Sequence, residues 1–297
     1  MSGTNTVHLD LAGHRIKGNG TGTGINYPPG VAAGNLEVTN GTITGFAAAL
    51  IGPSEDLPIL SNLALTRMNI TGNDNWMPDF VRHNVLVEDS SIIDSGDGGA
   101  GTDWGQITVR NSKFIRSRIY SISESYNYIY DSIFIGTGAG ITSGNDSLVI
   151  ATGNVFRDCD TGIYLADPMV YVPSRIKDNK FIRCRTGADF PWLSGPISVQ
   201  RNLFSKNTVA GLTFSIRPGL DGDISGNTFV NNDGDGLTGT VGDPGTPSAA
   251  VVRVTGNLAV RNAGYGINVS AVTDGGLNRA RGNGAAQQCV GVVCTRP

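Results

Sequence analysis

Charged side chains are scarce in this chain of 297 residues. Asp, Glu, Lys and Arg make up 16% of it, where about a quarter is usual. The 22 basic and 25 acidic residues leave a net charge of −3. Nucleic acids and anionic membrane surfaces are bound by clusters of Lys and Arg. The near balance of charge therefore predicts no nucleic-acid partner and no membrane partner.

Long apolar runs, helical periodicity and metal motifs are missing as well. No stretch approaches the roughly 18 apolar residues of a membrane span, and none keeps an apolar period typical of a helix over three turns. The four cysteines form no CxxC motif and have no His partner, which argues against a zinc site. Since Met1 leads directly into Val7-His8-Leu9, we expect a cytoplasmic protein if Met1 is the natural start, and a secreted one if a leader was removed.

The chain is instead rich in glycine, with 42 residues, and it carries a repeated segment. The segment 154–163 returns 25 residues later at 179–188, with Asn, Phe, Cys, Thr and Gly in the same places. The Phe position extends in both directions into an anchor column with spacings of 20–30 residues. Twelve repeats of this length predict a solenoid. The anchors are Ile16, Ile43, Ile70, Ile92, Phe114, Phe134, Phe156, Phe181, Phe204, Phe229, Ala259 and Ala280.

The repeats predict strands. Each holds short runs with a period of two, such as Val85-Leu86-Val87, broken by Gly and Asn. Leucine-rich repeats would need several Leu at fixed offsets, and these are absent. We therefore predict an all-β, right-handed parallel β-helix of about 12 coils that rise ~4.8 Å each. It is expected to form a single domain over 1–297, with an N-terminal capping coil at 1–30 and a C-terminal coil and cap at 277–297.

A second column lies three residues after each anchor and holds mostly small or polar residues. It predicts a ladder of turn residues, in which Asn bonds to its own backbone and to the Asn of the next coil. Cys159 and Cys184 fall in this column, and we predict them to be small buried substitutes for Asn, without a disulfide between them. Cys289 and Cys294 are close enough in sequence for a local disulfide in an exported protein.

The coil pattern N-x-F followed by N-x-x-x-G-I resembles the right-handed parallel β-helix proteins of the pectate-lyase-like superfamily, over about residues 6–294. The resemblance implies a fold shared by lyases, hydrolases and epimerases of acidic polysaccharides, and by a few enzymes of natural-product cyclisation. The sugar-cleaving motifs are mostly missing. Arg175-Ile176-Lys177 matches a polygalacturonase motif without its companions, and Asp167-Pro168 lacks the Tyr-Gly before and the His after that mark mannuronan epimerases.

Large aromatic side chains are concentrated in the irregular parts of the coils, many of them 8 to 13 residues after the anchors. Equal offsets on stacked coils place residues on one side of the solenoid, which predicts an aromatic-lined lateral cleft. The predicted substrate-binding residues are Trp76, Phe80, His83, Trp104, Tyr128, Tyr164, Met169, Tyr171, Trp192, Phe214 and Arg217.

Acidic residues share these offsets on four successive coils: Asp103, Glu124, Asp146 and Asp167. With Tyr126 they are the predicted catalytic residues. Stacked carboxylates could bind Ca²⁺ or supply a general acid and base. Surface Asp residues in glycine-rich turns are the alternative interpretation of the column.

Three functions fit this sequence. The favoured hypothesis is a cofactor-free intramolecular cyclase or isomerase, pericyclase-like, that folds a largely apolar polyene or polyketide in natural-product biosynthesis. The first alternative is an acidic-polysaccharide (uronate) lyase or C5-epimerase, the only case in which Ca²⁺ would enter as a cofactor. The second is a non-catalytic surface or binding protein. In each case we expect a monomer or a weak homo-oligomer; in the two enzymatic cases we expect a small-molecule or sugar substrate.

Overall fold

The computed structural model describes residues 6–26, 35–51, 62–77, 84–98, 105–169, 171–242 and 251–295. In these ranges the regular structure is all strand, and no helix there is long and apolar enough to cross a membrane. In chain order the strands are β1 Thr6–Asp10, β2 Arg15–Lys17, β3 Thr23–Asn26, β4 Asn35–Thr44, β5 Ala48–Ile51, β6 Asn62–Thr71, β7 Asn84–Glu88, β8 Ser91–Gly98, β9 Gln106–Arg110, β10 Lys113–Ile122, β11 Tyr126–Tyr130, β12 Ile133–Ile135, β13 Ala139–Gly144, β14 Leu148–Thr152, β15 Val155–Arg157, β16 Thr161–Ala166, β17 Ser174–Lys177, β18 Lys180–Ile182, β19 Thr186–Leu193, β20 Ile197–Gln200, β21 Leu203–Ser205, β22 Ala210–Ile216, β23 Gly222–Ser225, β24 Thr228–Val230, β25 Asp235–Val241, β26 Val252–Thr255, β27 Leu258–Val260, β28 Ile267–Ser270, β29 Thr273–Gly276, β30 Asn278–Arg281, β31 Cys289–Val290 and β32 Cys294–Thr295.

These strands build a parallel β-helix with three faces, because each strand pairs in parallel with its counterpart in the next coil. The first face includes β9, β11, β14 and β17. The second face includes β12, β15, β18 and β21. The third face includes β13, β16, β19, β22, β25 and β28. The β-helix has about ten turns, which confirms the predicted fold at a slightly lower coil count.

The predicted anchor column is correct along its whole length. Its members pair in register on the second face, from Ile16 opposite Ile43 to Ala259 opposite Ala280. The six phenylalanines are fully buried, and their rings stack in pairs with centroids 4.7–5.0 Å apart. The core therefore contains a continuous column of stacked side chains, and burial of these aromatics stabilises it.

Two buried Asn ladders flank the phenylalanine column, where the sequence predicted one. In the predicted ladder the side chain of Asn207 donates a hydrogen bond of 2.9 Å to the side chain of Asn232. In the second ladder, two residues before each anchor, the Oδ1 of Asn202 accepts the backbone N–H of Asn179 at 2.9 Å. Both ladders satisfy buried turn backbone, so their Asn residues have a structural role.

A disulfide interrupts the predicted ladder and corrects one prediction. Cys159 and Cys184 form a disulfide between successive coils, with their Cα atoms 4.4 Å apart. That distance lies within the range that a disulfide spans, since neighbouring coils are about one strand spacing apart. The local disulfide between Cys289 and Cys294 is also present.

The glycine of the repeat makes room for aromatic rings. A Cβ at Gly187 would lie 2.6 Å from the ring of Phe204 and 2.4 Å from the carbonyl oxygen of Gly211. Glycine is needed at this position because the next coil packs directly against its backbone.

Replacing Gly187 by Ala is therefore expected to destabilise the protein by about 1–3 kcal/mol, the usual cost of overpacking a core. The measurement is the denaturant midpoint of unfolding. Gly138→Ala is the matched control, because a Cβ there would have nothing within 4 Å. Equal midpoints for the two variants would contradict the packing role of Gly187.

The C-terminal coil ends the predicted ladder with a different side chain. The Oε1 of Gln288 accepts both the backbone N–H and the side-chain amide of Asn283, each at 2.9 Å. Gln288 thus takes the place that the Asn of a further coil would occupy.

Candidate functional site

The turns between the third face and the first face of the next coil, here called the third corner, carry the predicted acidic column. The backbone N–H of Glu124 donates to the carbonyl of Asn145, that of Asp146 to Asp167, and that of Asp167 to Trp192, at 2.7–2.8 Å. Glu124, Asp146 and Asp167 therefore lie on successive coils at one corner, as the offsets predicted.

Backbone conformation explains the residue type at these positions. Glu124, Asp146 and Asp167 have φ angles of 51°, 57° and 51°. Asp tolerates this left-handed region better than most residues, so the turns themselves favour it. Among the residues that the structure describes, no three His, Cys, Asp or Glu side chains come together to hold a metal ion. A catalytic role for the column stays a prediction.

Several predicted cleft residues lie elsewhere, and Trp76 requires a correction. Its side chain is fully buried in the core, packs edge-on against Phe114, and donates from Nε1 to the carbonyl of Arg118 at 3.0 Å. The ring fits because Gly98 on the next coil has no side chain: a Cβ there would be 2.3 Å from the indole. Trp76 is a core residue and cannot line a cleft.

Tyr126 and Tyr128 lie on the first face, on β11, with side chains that point outward beside Tyr130. Burial is the largest cause of the raised pKa of Tyr128, and the neighbouring tyrosines add to it. The two residues thus face away from the third face, where Tyr164 lies.

Four predicted site residues fall outside the described residues: Phe80, His83, Asp103 and Trp104. Two others lie in the turn that follows β16. Met169 is half-buried and donates its backbone N–H to the carbonyl of Ser147 at 3.1 Å, whereas Tyr171 is 90% exposed. The structure does not bring Tyr171 into contact with the other aromatic residues of the prediction in the ranges it covers.

An open groove of about 450 Å³ crosses the third face and is here called the third-face groove. Outward side chains of β19, β22, β25 and β28 form its floor, and most carry a hydroxyl, amide or carboxylate group. The lining residues are Asp189, Pro191, Thr213, Phe214, Ser215, Thr238, Gly239, Thr240, Asn268, Val269, Ser270 and Val290.

Asp189 is the acidic side chain of this groove, and it is not among the residues predicted from the sequence. It is half-buried, and the hydroxyl of Thr213 on the next coil donates a hydrogen bond to its carboxylate. Asp189 lies in register with Tyr164 of the preceding coil, which also points outward. Inward and outward residues alternate along each third-face strand, and Asp189 occupies the outward position eight or nine residues after the anchor of its coil. This alternation is the sequence signal that could have revealed it.

Phe214 was predicted to bind substrate, but it is only 4% exposed and supports the groove from beneath. Gly239 lies opposite it on the next coil, where a Cβ would approach the ring to 2.4 Å. The absence of a side chain at Gly239 therefore lets the phenylalanine ring fill the core and keeps the groove open above it.

Trp192 and Arg217 lie at the third corner, next to the groove. Trp192 is 49% exposed, and the guanidinium of Arg217 lies 5.0 Å from the centre of its indole ring. The backbone N–H of Arg217 donates to the carbonyl of Leu193 at 3.0 Å, which fixes the two corners side by side. Trp192 and Arg217 thus lie on the same side of the solenoid, as their offsets from the anchors predicted.

Two solved structures are similar to this chain. The A-module of the mannuronan C-5 epimerase AlgE6 from Azotobacter vinelandii is similar at a TM-score of 0.52 and 11% identity, covering 100% of this chain and 92% of the module. A double mutant of the periplasmic alginate epimerase AlgG is similar at a TM-score of 0.44 and 14% identity, over 94% of this chain and 78% of its own. At such identities the likeness to the AlgE6 module establishes a shared fold and leaves the activity open.

A search of curated proteins finds no match to the sequence. A family model does match: the family described as periplasmic copper-binding protein (NosD) covers residues 61–273, well over half of the chain. The parallel β-helix seen in the structure agrees with this assignment. The chain belongs to the NosD family.

Proposed function

We propose that this protein is an exported enzyme of the uronate epimerase or lyase class, with an acidic polysaccharide as its substrate in the third-face groove. The observation that carries the proposal is the outward column Tyr164, Asp189 and Thr213 on three successive coils. The carboxylate and the hydroxyl line the open groove, and the phenol lies in register with Asp189 on the preceding coil. The epimerase and lyase alternative of the sequence analysis thereby replaces the cyclase hypothesis as the preferred function.

The groove floor is suited to a polymer with regularly spaced hydroxyl groups. Thr213, Thr238 and Asn268 follow one another on successive coils. Adjacent coils are ~4.8 Å apart, close to the length of one sugar unit in an extended chain. A polysaccharide that runs along the solenoid axis would therefore meet a similar polar group at each unit.

Epimerisation and β-elimination of a uronate begin with the same step. A base removes the proton from C5, and the electron pair of the C–H bond moves into the adjacent carboxylate. Return of a proton to the opposite side of C5 gives the epimer, whereas expulsion and protonation of O4 give a chain break with an unsaturated end. We assign the base to Asp189, oriented by Thr213, and the proton donor to Tyr164.

The cyclase hypothesis depended on an aromatic-lined cleft. In the described ranges Trp76 and Phe214 are buried, and seven of the twelve residues that line the groove carry a hydroxyl, amide or carboxylate group. An apolar polyene would leave these polar groups without partners. Neither the described groove nor the comparisons support a pericyclic reaction.

Export fits the chemistry of the cysteines. All four are paired in disulfides, which persist in oxidising compartments such as the periplasm. The family is described as periplasmic. Both observations favour the secreted alternative over a cytoplasmic location.

The family description also names copper, and the described residues do not fit that metal. Copper is held by His, Met or free Cys side chains. The cysteines are in disulfides, and Met68 and Met77 are buried in the core. The described histidines, His8 and His14, lie in the first coil, several coils from the half-buried Met169. We derive no catalytic step through copper.

The test is an assay of the full chain on polymannuronate, polyguluronate and polygalacturonate in deuterated water, with and without added Ca²⁺. An epimerase would introduce deuterium at C5, and a lyase would generate unsaturated ends that absorb in the ultraviolet. Either product supports the proposal. Oligomers that bind without either change would identify a binding protein and contradict the enzymatic function.

A further inference from the structure

The strand β19 has one extra residue in its register with each of its neighbours, β16 and β22. Its register with β16 shifts between Asp189 and Trp192, and its register with β22 shifts between Phe190 and Leu193. Between the buried residues Phe190 and Leu193, two consecutive side chains, Pro191 and Trp192, are therefore exposed. Such β-bulges re-aim a side chain and are common beside functional sites.

The bulge turns the indole ring of Trp192 outward at the end of the groove. Packing in the core does not require a large aromatic side chain at this exposed position. Pro191 lines the groove, so Trp192 is the next residue along the strand from the groove wall. An exposed Trp held in a fixed position offers an apolar surface with an N–H group at its edge, a combination enriched at binding sites.

Arg217 adds a cation to this surface. It is exposed, stacks on the indole ring of Trp192 at 5.0 Å, and has no ion pair with any acidic side chain that the structure describes. By contrast Arg116, Arg183 and Arg201 each hold an Asp of the preceding coil. The Arg217 guanidinium is thus oriented by the ring while its hydrogen-bond donors stay available.

We infer that Trp192 and Arg217 form a subsite that binds one anionic sugar unit at the end of the third-face groove and selects acidic over neutral chains. The inference rests on the proposed function, because it assumes that a polysaccharide occupies the groove. The apolar side of a sugar ring would lie near the indole, and its anionic group would accept a bidentate hydrogen bond from the guanidinium. A uronate carboxylate and an ester sulfate both supply such a group.

Calorimetric titration of the full chain with three oligosaccharides of equal length separates these sources: an oligouronate, a sulfated neutral oligomer and an unmodified neutral oligomer. Arg217→Gln is expected to weaken binding of the oligouronate about tenfold or more and to leave the neutral oligomer unchanged. Arg217→Lys should keep part of the affinity, because it retains the charge without the planar fork. Trp192→Ala should weaken binding of all three oligomers.

Arg253→Gln is the matched control, since this exposed arginine lies on the first face. If the unchanged protein binds the oligouronate and Arg217→Gln binds it equally well, the subsite is overturned and the proposed function stands. If the unchanged protein binds none of the oligomers, the proposed function fails and the subsite with it. A loss confined to the sulfated oligomer would confirm an anion subsite and contradict a uronate substrate.

Discussion

Replacing Asp189 by Asn is expected to lower kcat on a uronate polymer by at least about a hundredfold, the usual contribution of a general base. Asn is nearly the same size and can still accept the hydrogen bond that Thr213 donates to the carboxylate. It cannot take up the C5 proton. KM should change little, because the floor of the groove keeps its other hydroxyl and amide groups.

The matched control for this variant is Asp223→Asn on the first face. Asp223 accepts hydrogen bonds from Gln200 and Ser225, so it tests whether loss of any half-buried carboxylate on a strand lowers turnover. The assay follows the epimerised or unsaturated product, and thermal unfolding checks that both variants remain folded. Turnover of Asp189→Asn within threefold of the unchanged protein would remove Asp189 from the mechanism.

Phe204→Ala is expected to destabilise the protein by about 3–5 kcal/mol, the range for removal of a buried aromatic side chain. The Phe204 ring is fully buried and stacks on Phe181 at 4.7 Å and on Phe229 at 5.0 Å. Its removal leaves a cavity between two coils whose backbones are fixed by hydrogen bonds on three faces, so the structure cannot collapse to fill it.

Leu203→Ala is the control, because this neighbour points outward from the same strand and is only half-buried. Chemical denaturation gives the loss of stability for both variants. Hydrogen exchange should show the greatest loss of protection in the coils of Phe181 and Phe229, since each coil of a solenoid contacts mainly its neighbours. A loss no larger than that of Leu203→Ala would contradict the role of the stacked column.

The fold was predictable because the parallel β-helix repeats its core at one position per coil. The Asn-x-Phe segment marked that position, and the anchors from Ile16 to Ala280 pair with one another on successive coils, as the spacing of the repeat predicted. The disulfide between Cys159 and Cys184 was missed because a column assignment fixes which residues are neighbours and leaves open how their sulfur atoms orient.

The site was harder to predict, since offsets counted from an anchor become inaccurate wherever a turn changes length. They placed Asp146, Asp167 and Trp192 at the third corner. They failed for Tyr126, which lies twelve residues after Phe114 but on the first face. Trp76, predicted from its place in an irregular segment, is in the core because a glycine in the following coil leaves room for its ring. Asp189 was not predicted because it lies eight residues after its anchor Phe181, whereas the predicted acidic residues lie ten to twelve residues after theirs.

The Gln288 side chain has a consequence for assembly. In this ladder each side-chain amide accepts a hydrogen bond from the preceding coil. The first coil of another molecule could therefore extend the ladder, and open edges of parallel strands favour such growth. Gln288 occupies the acceptor position at the end of this ladder and donates its own amide hydrogens to the carbonyls of Asn283 and Ala285. The last rung is thereby closed within the molecule, so one glutamine disfavours fibre-like stacking of copies along the solenoid axis.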